Sequence, residues 1–189
     1  VAYRPTLRAG AVYAGALVGG VALAARVLER SLPRTLVPAV CLWATLGGRS
    51  LAREATAVGA LVERGDLDGA RVRIRSLVGR DPEALDATGL SRAVIESVAE
   101  NTVDAVIAPL ASSAVGGAPG VAAYRAVNTL DAMVGHRSDR YARFGTASAR
   151  ADDVMNWPAA RLAAALTVLL SGHPAATWRA WRADAGQHP

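Results

Sequence analysis

The sequence of 189 residues contains no lysine: all 21 of its basic residues are arginine. That excludes a phosphate-loop lysine, a Schiff-base lysine and any lysine nucleophile within this stretch. It has one cysteine, Cys41, and three histidines, His136, His173 and His188. These are too few for a disulfide framework or a Cys/His zinc cluster. Aromatic residues make up only 5% and charged residues 20%, against 52% hydrophobic, and mean hydropathy is +0.23. So apolar a composition excludes disorder. No alternating strand pattern, internal repeat or low-complexity tract is present, so the expected fold class is all-α.

A formal charge of +5 raises nucleic acid as a partner, but the distribution argues for no nucleic acid. Between Arg49 and Asp104, 8 Arg face 10 acids. The excess Arg flanks apolar runs: Arg4, Arg8, Arg26, Arg30 and Arg34 early, Arg161, Arg179 and Arg182 late. Arginine at the ends of apolar runs is membrane-edge charge.

Four uncharged runs stand out: 17 residues at Ala9–Ala25, 14 at Thr35–Gly48, 20 at Ala105–Tyr124 and 17 at Leu162–Trp178. A membrane span needs about 17–25 apolar residues, so the first and last qualify and the second is short. The third carries Pro109, Gly116, Gly117, Pro119 and Gly120, and is expected to be a broken helix. Broken backbone at membrane depth is tolerated only where protein or a water-filled cavity satisfies it, and such breaks often line binding sites. The alternative is a core helix of a soluble all-α protein followed by a loop. The first run is too long for a signal peptide and lacks a cleavage site. A start without Met and an end at His188-Pro189 point to a segment of a longer protein. The expectation is a single membrane-embedded domain over 1–189, with polar helical residues 49–104 and a polar, site-bearing segment 125–157.

Within 49–104, Ala52, Ala55, Val58, Leu61 and Val62 recur at helical spacing. Glu63-Arg64-Gly65-Asp66 ends that helix. Asp66 or Asp68 caps a second helix carrying Ala70, Val72, Ile74 and Leu77; turns follow at Gly79-Arg80-Asp81-Pro82 and at Asp86-Ala87-Thr88-Gly89. Ser91 is expected to cap a third helix, from Arg92 to about Val106.

On that third helix Glu96, Glu100 and Asp104 fall at i, i+4 and i+8, with Asn101 beside them. Aligned carboxylates repel by a few tenths of a kcal/mol per exposed pair, a cost offset where a cation or Arg faces them. A solvated helix face is the plain alternative. A second polar cluster, 125–157, holds Arg125, Asn128, Asp131, His136, Arg137, Asp139, Arg140, Arg143, Arg150, Asp152, Asp153 and Asn156. Guanidinium groups suit phosphate and carboxylate, and Asp suits Mg²⁺. The plain alternative is a loop held by surface ion pairs worth under about 1 kcal/mol each, with His136 making a structural hydrogen bond.

Glu96-Ser-Val-Ala-Glu-Asn-Thr-Val-Asp104, Ala118-Pro-Gly-Val-Ala-Ala-Tyr-Arg125 and Asn128-Thr-Leu-Asp-Ala-Met-Val-Gly-His-Arg137 closely resemble the cobalamin-biosynthesis family CobD/CbiB. So do Arg140-Tyr-Ala-Arg-Phe-Gly145, Ser148-Ala-Arg-Ala-Asp-Asp-Val-Met-Asn-Trp157 and, upstream, Arg49-Ser-Leu-Ala-Arg-Glu54, Gly65-Asp-Leu67 and Val78-Gly-Arg-Asp81. The similarity covers most of the chain in order. Two places depart from it: Ala111-Ser112-Ser113 and Thr146 stand where the family usually has aromatic residues.

The resemblance implies a multi-pass cell-membrane enzyme, adenosylcobinamide-phosphate synthase. It would join a carboxylate of adenosylcobyric acid to (R)-1-amino-2-propanol or its O-phosphate, with ATP and Mg²⁺, at segments facing the cytoplasm. The expected catalytic residues are Glu96, Glu100, Asp131 and His136, the last as proton acceptor. Asn101, Asn128, Arg137, Arg140, Tyr141 and Arg150 would bind substrate or phosphate, and Asp104, Asp152 and Asp153 the metal. The Gly116–Gly120 break would let backbone N–H groups approach an anion. Two other readings are weighed. A non-catalytic membrane sensor or scaffold, akin to relatives associated with β-lactamase regulation, should have lost parts of the acid–Asn stripe and the Gly-His-Arg run, which are retained here. A transporter has no residue in its favour.

Overall fold

The computed structural model describes residues 6–79, 81–135 and 141–184. Every regular element among them is helical, and no strand occurs. In chain order they are α1 (Leu7–Ser31), α2 (Leu36–Thr45), α3 (Gly48–Glu63), α4 (Leu67–Ile74), α5 (Ala87–Thr102), a π-helical turn (Val103–Ile107), α6 (Ala108–Leu130), a second π turn (Asp131–Gly135), α7 (Thr146–Leu170) and α8 (Pro174–Asp184). The chain divides into two compact units, one of residues 1–44 and 107–189, the other of residues 45–106.

In the first unit α1 packs on α6 and α7, α6 on α7, and α8 on α7. Thr6 caps α1 by accepting from the Ala9 N–H at 3.2 Å. Of this helix only Gly10 and Ala25 are buried, while Val12, Leu17, Val21, Leu23, Val27 and Leu28 are exposed. α1 and the helical run Ala87–Gly135 are each long and apolar enough to cross a membrane, and their most apolar windows are only 11% and 22% buried. The core helix of a soluble protein would be mostly buried, because each exposed Å² of apolar area costs about 25 cal/mol in water.

The expected break in the third apolar run is at Gly117, whose φ of 59° and ψ of −146° interrupt α6. Only glycine adopts that conformation without strain. Pro119 comes in the first turn after the break, where its missing N–H costs nothing. The last apolar run is divided: α7 ends at Leu170 and α8 begins at Pro174. Pro174 disfavours helical backbone at His173, so 162–178 is two helical pieces.

The second unit is a small helical core. Val58 of α3, Ala70 and Ile74 of α4, and Leu90 and Ala93 of α5 are buried together, with Leu61, Val62, Leu77 and Leu85 packed around them. α3 ends where expected, with Gly65 at φ 76°, and Asp66 caps α4 by accepting from the Gly69 N–H at 2.9 Å. Two expectations need correction. α4 carries Ala70, Val72 and Ile74 as expected but ends at Ile74, so Leu77 packs on the core from the segment after the helix; Val72 is exposed, on the opposite side of the helix from the buried Ala70 and Ile74. Ser91 is no cap: α5 starts at Ala87, with Asp86 accepting from the Gly89 N–H at 2.7 Å, so the expected turn 86–89 is the first turn of the helix. The Ser91 hydroxyl donates back to the Ala87 carbonyl instead. Arg71 donates to the Leu85 carbonyl through two nitrogens, at 3.2 and 2.9 Å, and ties the segment before α5 to α4.

Candidate active site

The site candidates form two groups, one in each unit. In the second unit, Glu96 and Glu100 lie on exposed α5 positions one turn apart. With Asn101, Ser97, Ala93 and the segment Leu77–Gly79 they line a cavity of about 510 Å³. Ser97, buried beside these acids, is a contributor that sequence spacing does not single out. Its hydroxyl donates to the Leu77 carbonyl at 2.7 Å and fastens the 77–79 segment to the cavity edge. Asn101 donates to the Ser97 carbonyl at 2.9 Å and to its hydroxyl at 3.2 Å. Its amide nitrogen therefore serves the helix that carries it. Glu96 approaches Arg92 at 3.6 Å with its side chain 54% exposed, as a solvated face would have it.

The α-helical register of the acidic stripe stops at Thr102. Asp104 lies in the π turn Val103–Ile107, where the extra residue per turn rotates the downstream positions. Of the expected i, i+4, i+8 set, Glu96 and Glu100 thus stand on regular α-helix and Asp104 on the π turn that follows it.

In the first unit a chain of hydrogen bonds links α6 to α7. The Tyr124 hydroxyl donates to Asn156 Oδ1 at 2.9 Å. Asn156 Nδ2 donates to Asp152 Oδ2 at 2.8 Å, and Asn128 Nδ2 to Asp152 Oδ1 at 3.4 Å. Arg125 Nη1 donates to Asn128 Oδ1 at 3.4 Å. Both Asp152 oxygens thus accept an amide N–H. Tyr124 is fully buried, and a buried tyrosine hydroxyl needs such a partner. Of the five residues, Asn128 and Asp152 are expected site residues; Tyr124, Arg125 and Asn156 are not. Their signal lies in the spacing: Asp152 and Asn156 are one helical turn apart, as are Tyr124 and Asn128.

Asp131 opens the second π turn, Asp131–Gly135. Its carboxylate lies over Gly135, where a Cβ would come within 1.8 Å of Oδ1. Gly145 is similarly pressed on the Val134 carbonyl, 1.7 Å from where a Cβ would be. Only glycine permits that approach. Tyr141 is half-buried, its ring 6.4 Å from that of Phe144, which lies 5.5 Å from the ring of Tyr13 in α1. Asp153 and Arg150 are exposed on α7, whereas Asp152 is half-buried. His136, Arg137 and Arg140 lie outside the described residues.

The Gly116–Gly120 break does receive an anion, the chain's own. Glu29 of α1 accepts from the Ala118 N–H at 3.2 Å, its Oε1 is 2.7 Å from where a Gly117 Cβ would stand, and its Oε2 pairs with Arg26 at 3.1 Å. A carboxylate at a helix N-terminus contributes about 0.3–1 kcal/mol, up to about 2 when partly buried.

Among the described residues no three of His, Cys, Asp and Glu come together as a metal cage. Mg²⁺ does not require one: it takes one or two carboxylates, water and substrate phosphate oxygens. Asp152, held at both oxygens by amide donors, has the chemistry of such a ligand, since ligating carboxylates are themselves hydrogen-bonded.

Residues 2–189 match the family model described as CobD/Cbib protein. The chain belongs to the CobD/CbiB family. It is 49% identical over 197 residues to the cobalamin biosynthesis protein CobD of Mycobacterium tuberculosis (strain CDC 1551 / Oshkosh), covering 100% of this chain and 63% of that relative. It is 47% identical over 184 residues to CobD of Chromobacterium violaceum, covering 97% and 58%, and 46% identical over 142 residues to CbiB of Salmonella choleraesuis (strain SC-B67), covering 75% and 44%. The chain thus spans less than two thirds of the length of these family members. No solved structure matches it.

Proposed function

We propose that this chain is the greater part of a multi-pass membrane enzyme of cobalamin biosynthesis. Its reaction would be ATP- and Mg²⁺-dependent amide formation, joining a carboxylate of adenosylcobyric acid to (R)-1-amino-2-propanol or its O-phosphate. The relatives are named for cobalamin biosynthesis. The observation that carries the chemistry is the Asp152 carboxylate, fixed at both oxygens by Asn128 and Asn156 on helices of the unit whose α1 is long and apolar enough to span a membrane.

The chemical requirement is specific. A carboxylate is a poor acyl donor because oxide is a poor leaving group, so coupling to an amine needs activation by phosphoryl or adenylyl transfer. The site must neutralise phosphate charge, hold acid and amine at attack distance, and accept a proton from the ammonium. Bound Mg²⁺ would supply charge neutralisation at the phosphate oxygens. In this reading Asp152 holds the ion, Asn128 and Arg125 face phosphate or carboxylate, and Asp131 is the base. Arg137, Arg140 and His136 extend the same cluster along the sequence, the two arginines as phosphate clamps and His136 as a second proton acceptor. The resemblance also names Glu96 and Glu100 as acids of the reaction; they line their own cavity in the second unit.

The test uses the full-length protein in membranes, given adenosylcobyric acid, labelled aminopropanol phosphate and Mg-ATP, with corrinoids resolved by chromatography. Label moving into a corrinoid amide supports the proposal. Intact corrinoid acid after many expected turnovers, with protein present, removes it.

A further inference from the structure

Asp152 is a ligand only if its carboxylate keeps one orientation, and the structure shows what holds it. An ionised carboxylate only accepts hydrogen bonds, so Asn156 must turn its NH₂ toward Asp152 Oδ2. That leaves Asn156 Oδ1 facing α6, where the Tyr124 hydroxyl donates to it at 2.9 Å. The tyrosine is fully buried, so its hydroxyl needs a partner of this kind. On the other oxygen the arrangement repeats: Arg125 donates to Asn128 Oδ1, and Asn128 presents its NH₂ to Asp152 Oδ1. Each amide is thus oriented, and polarised, by a donor on its own carbonyl.

We infer that Tyr124 and Asn156 are positioning residues that lock the Asp152 carboxylate to receive the divalent cation accompanying the nucleotide. The inference rests on the proposed reaction for its purpose, but the geometry extends beyond it, because neither residue touches the reacting atoms. The Tyr124 hydroxyl acts through Asn156, and Asn156 through Asp152. Removing the hydroxyl leaves the part-buried Asn156 Oδ1 without its donor and lets the amide rotate, so the carboxylate loses its fixed direction. Outer-shell partners of metal-ligating carboxylates typically govern metal affinity by about 10–100-fold.

The experiment uses full-length protein purified in detergent, with Mn²⁺ binding followed by electron paramagnetic resonance in the presence of a non-hydrolysable ATP analogue. Tyr124→Phe should weaken Mn²⁺ binding on the order of 10-fold, and Asn156→Ala should do the same. In the amide-forming assay both variants should raise the Mg²⁺ concentration needed for half-maximal rate while leaving the KM for the amine unchanged. In an Asp152→Asn background Tyr124→Phe should cause no further loss of Mn²⁺ affinity, since the two act through one group. Unchanged Mn²⁺ affinity in both single variants overturns the inference, as does an amine KM that moves while the Mg²⁺ requirement stays put. So does a full additional loss in the Asp152→Asn background, the mark of a merely structural tyrosine. If Tyr124→Phe does not accumulate, Asn156→Ala decides alone. The Mn²⁺ readout needs no turnover, so a failed amide assay beside intact Mn²⁺ effects would refute the proposed reaction and leave the positioning role standing.

Discussion

Gly117 carries two constraints at once. Its φ of 59° and ψ of −146° strain any residue with a side chain by about 1–3 kcal/mol, and a Cβ there would press on Glu29 Oε1. Gly117→Ala should therefore lower the thermal stability of the detergent-solubilised protein by at least about 1 kcal/mol, whereas Gly59→Ala, at a position with nothing near its Cβ, should be neutral or stabilising. Equal unfolding temperatures for the two would show that the break is not built on Gly117. In the second unit, Ile74 is fully buried, so Ile74→Ala should cost about 2–5 kcal/mol, measured as a shift in the denaturant midpoint. At this scale the sequence is legible where a local rule suffices. Gly65 after a basic residue and Asp66 before an apolar stretch announce a helix end and a cap. Ser91 misleads because it obeys the same rule as Asp86, and the choice between them depends on Leu85 and Leu90 reaching the core. Glu29 is not legible: nothing near it in sequence shows that it caps a helix 89 residues away.

At the scale of elements, the two π turns separate this fold from a reading by α-helical spacing alone. Both carry an expected site residue, Asp104 in one and Asp131 in the other, and π turns concentrate at functional sites. α-Helical spacing places Glu96, Glu100 and Asp104 on one continuous helix, whereas Asp104 stands on a π turn. The added residue per turn leaves no mark in composition. Deleting Ala132 should convert the second π turn to α-helix and move Asp131 from its place over Gly135. Amide formation should then be lost while far-UV circular dichroism stays close to wild type. Full activity in that deletion would show that the π turn does not place the site. The break in α6 is legible, because Gly-Gly-Ala-Pro-Gly admits few backbones. Its filling by a carboxylate from α1 is not.

For the whole molecule, an all-α architecture and the order of polar and apolar segments follow from periodicity, and the helices bear this out. The division into two compact units does not follow from the sequence, because the boundary at residues 106–107 lies inside a continuous helical run. The exposed apolar residues of α1, the Trp178–Trp181 edge pair in α8, and Trp157 with Arg161 stacked 3.6 Å over its ring suit lipid and its interface. The protein should stay in the pellet after alkaline carbonate washing and leave it only with detergent. Release by carbonate would remove the membrane from the account.

The central claim, that Asp152 is held ready for amide-bond chemistry while its neighbour is not, is tested most directly by comparing adjacent residues. Wild type, Asp152→Asn and Asp153→Asn, at matched levels in membranes, would be supplied with adenosylcobyric acid, aminopropanol phosphate and Mg-ATP. The account predicts corrinoid amide from wild type and Asp153→Asn, and none above background from Asp152→Asn. Equal product from all three, or loss with Asp153→Asn alone, would contradict it.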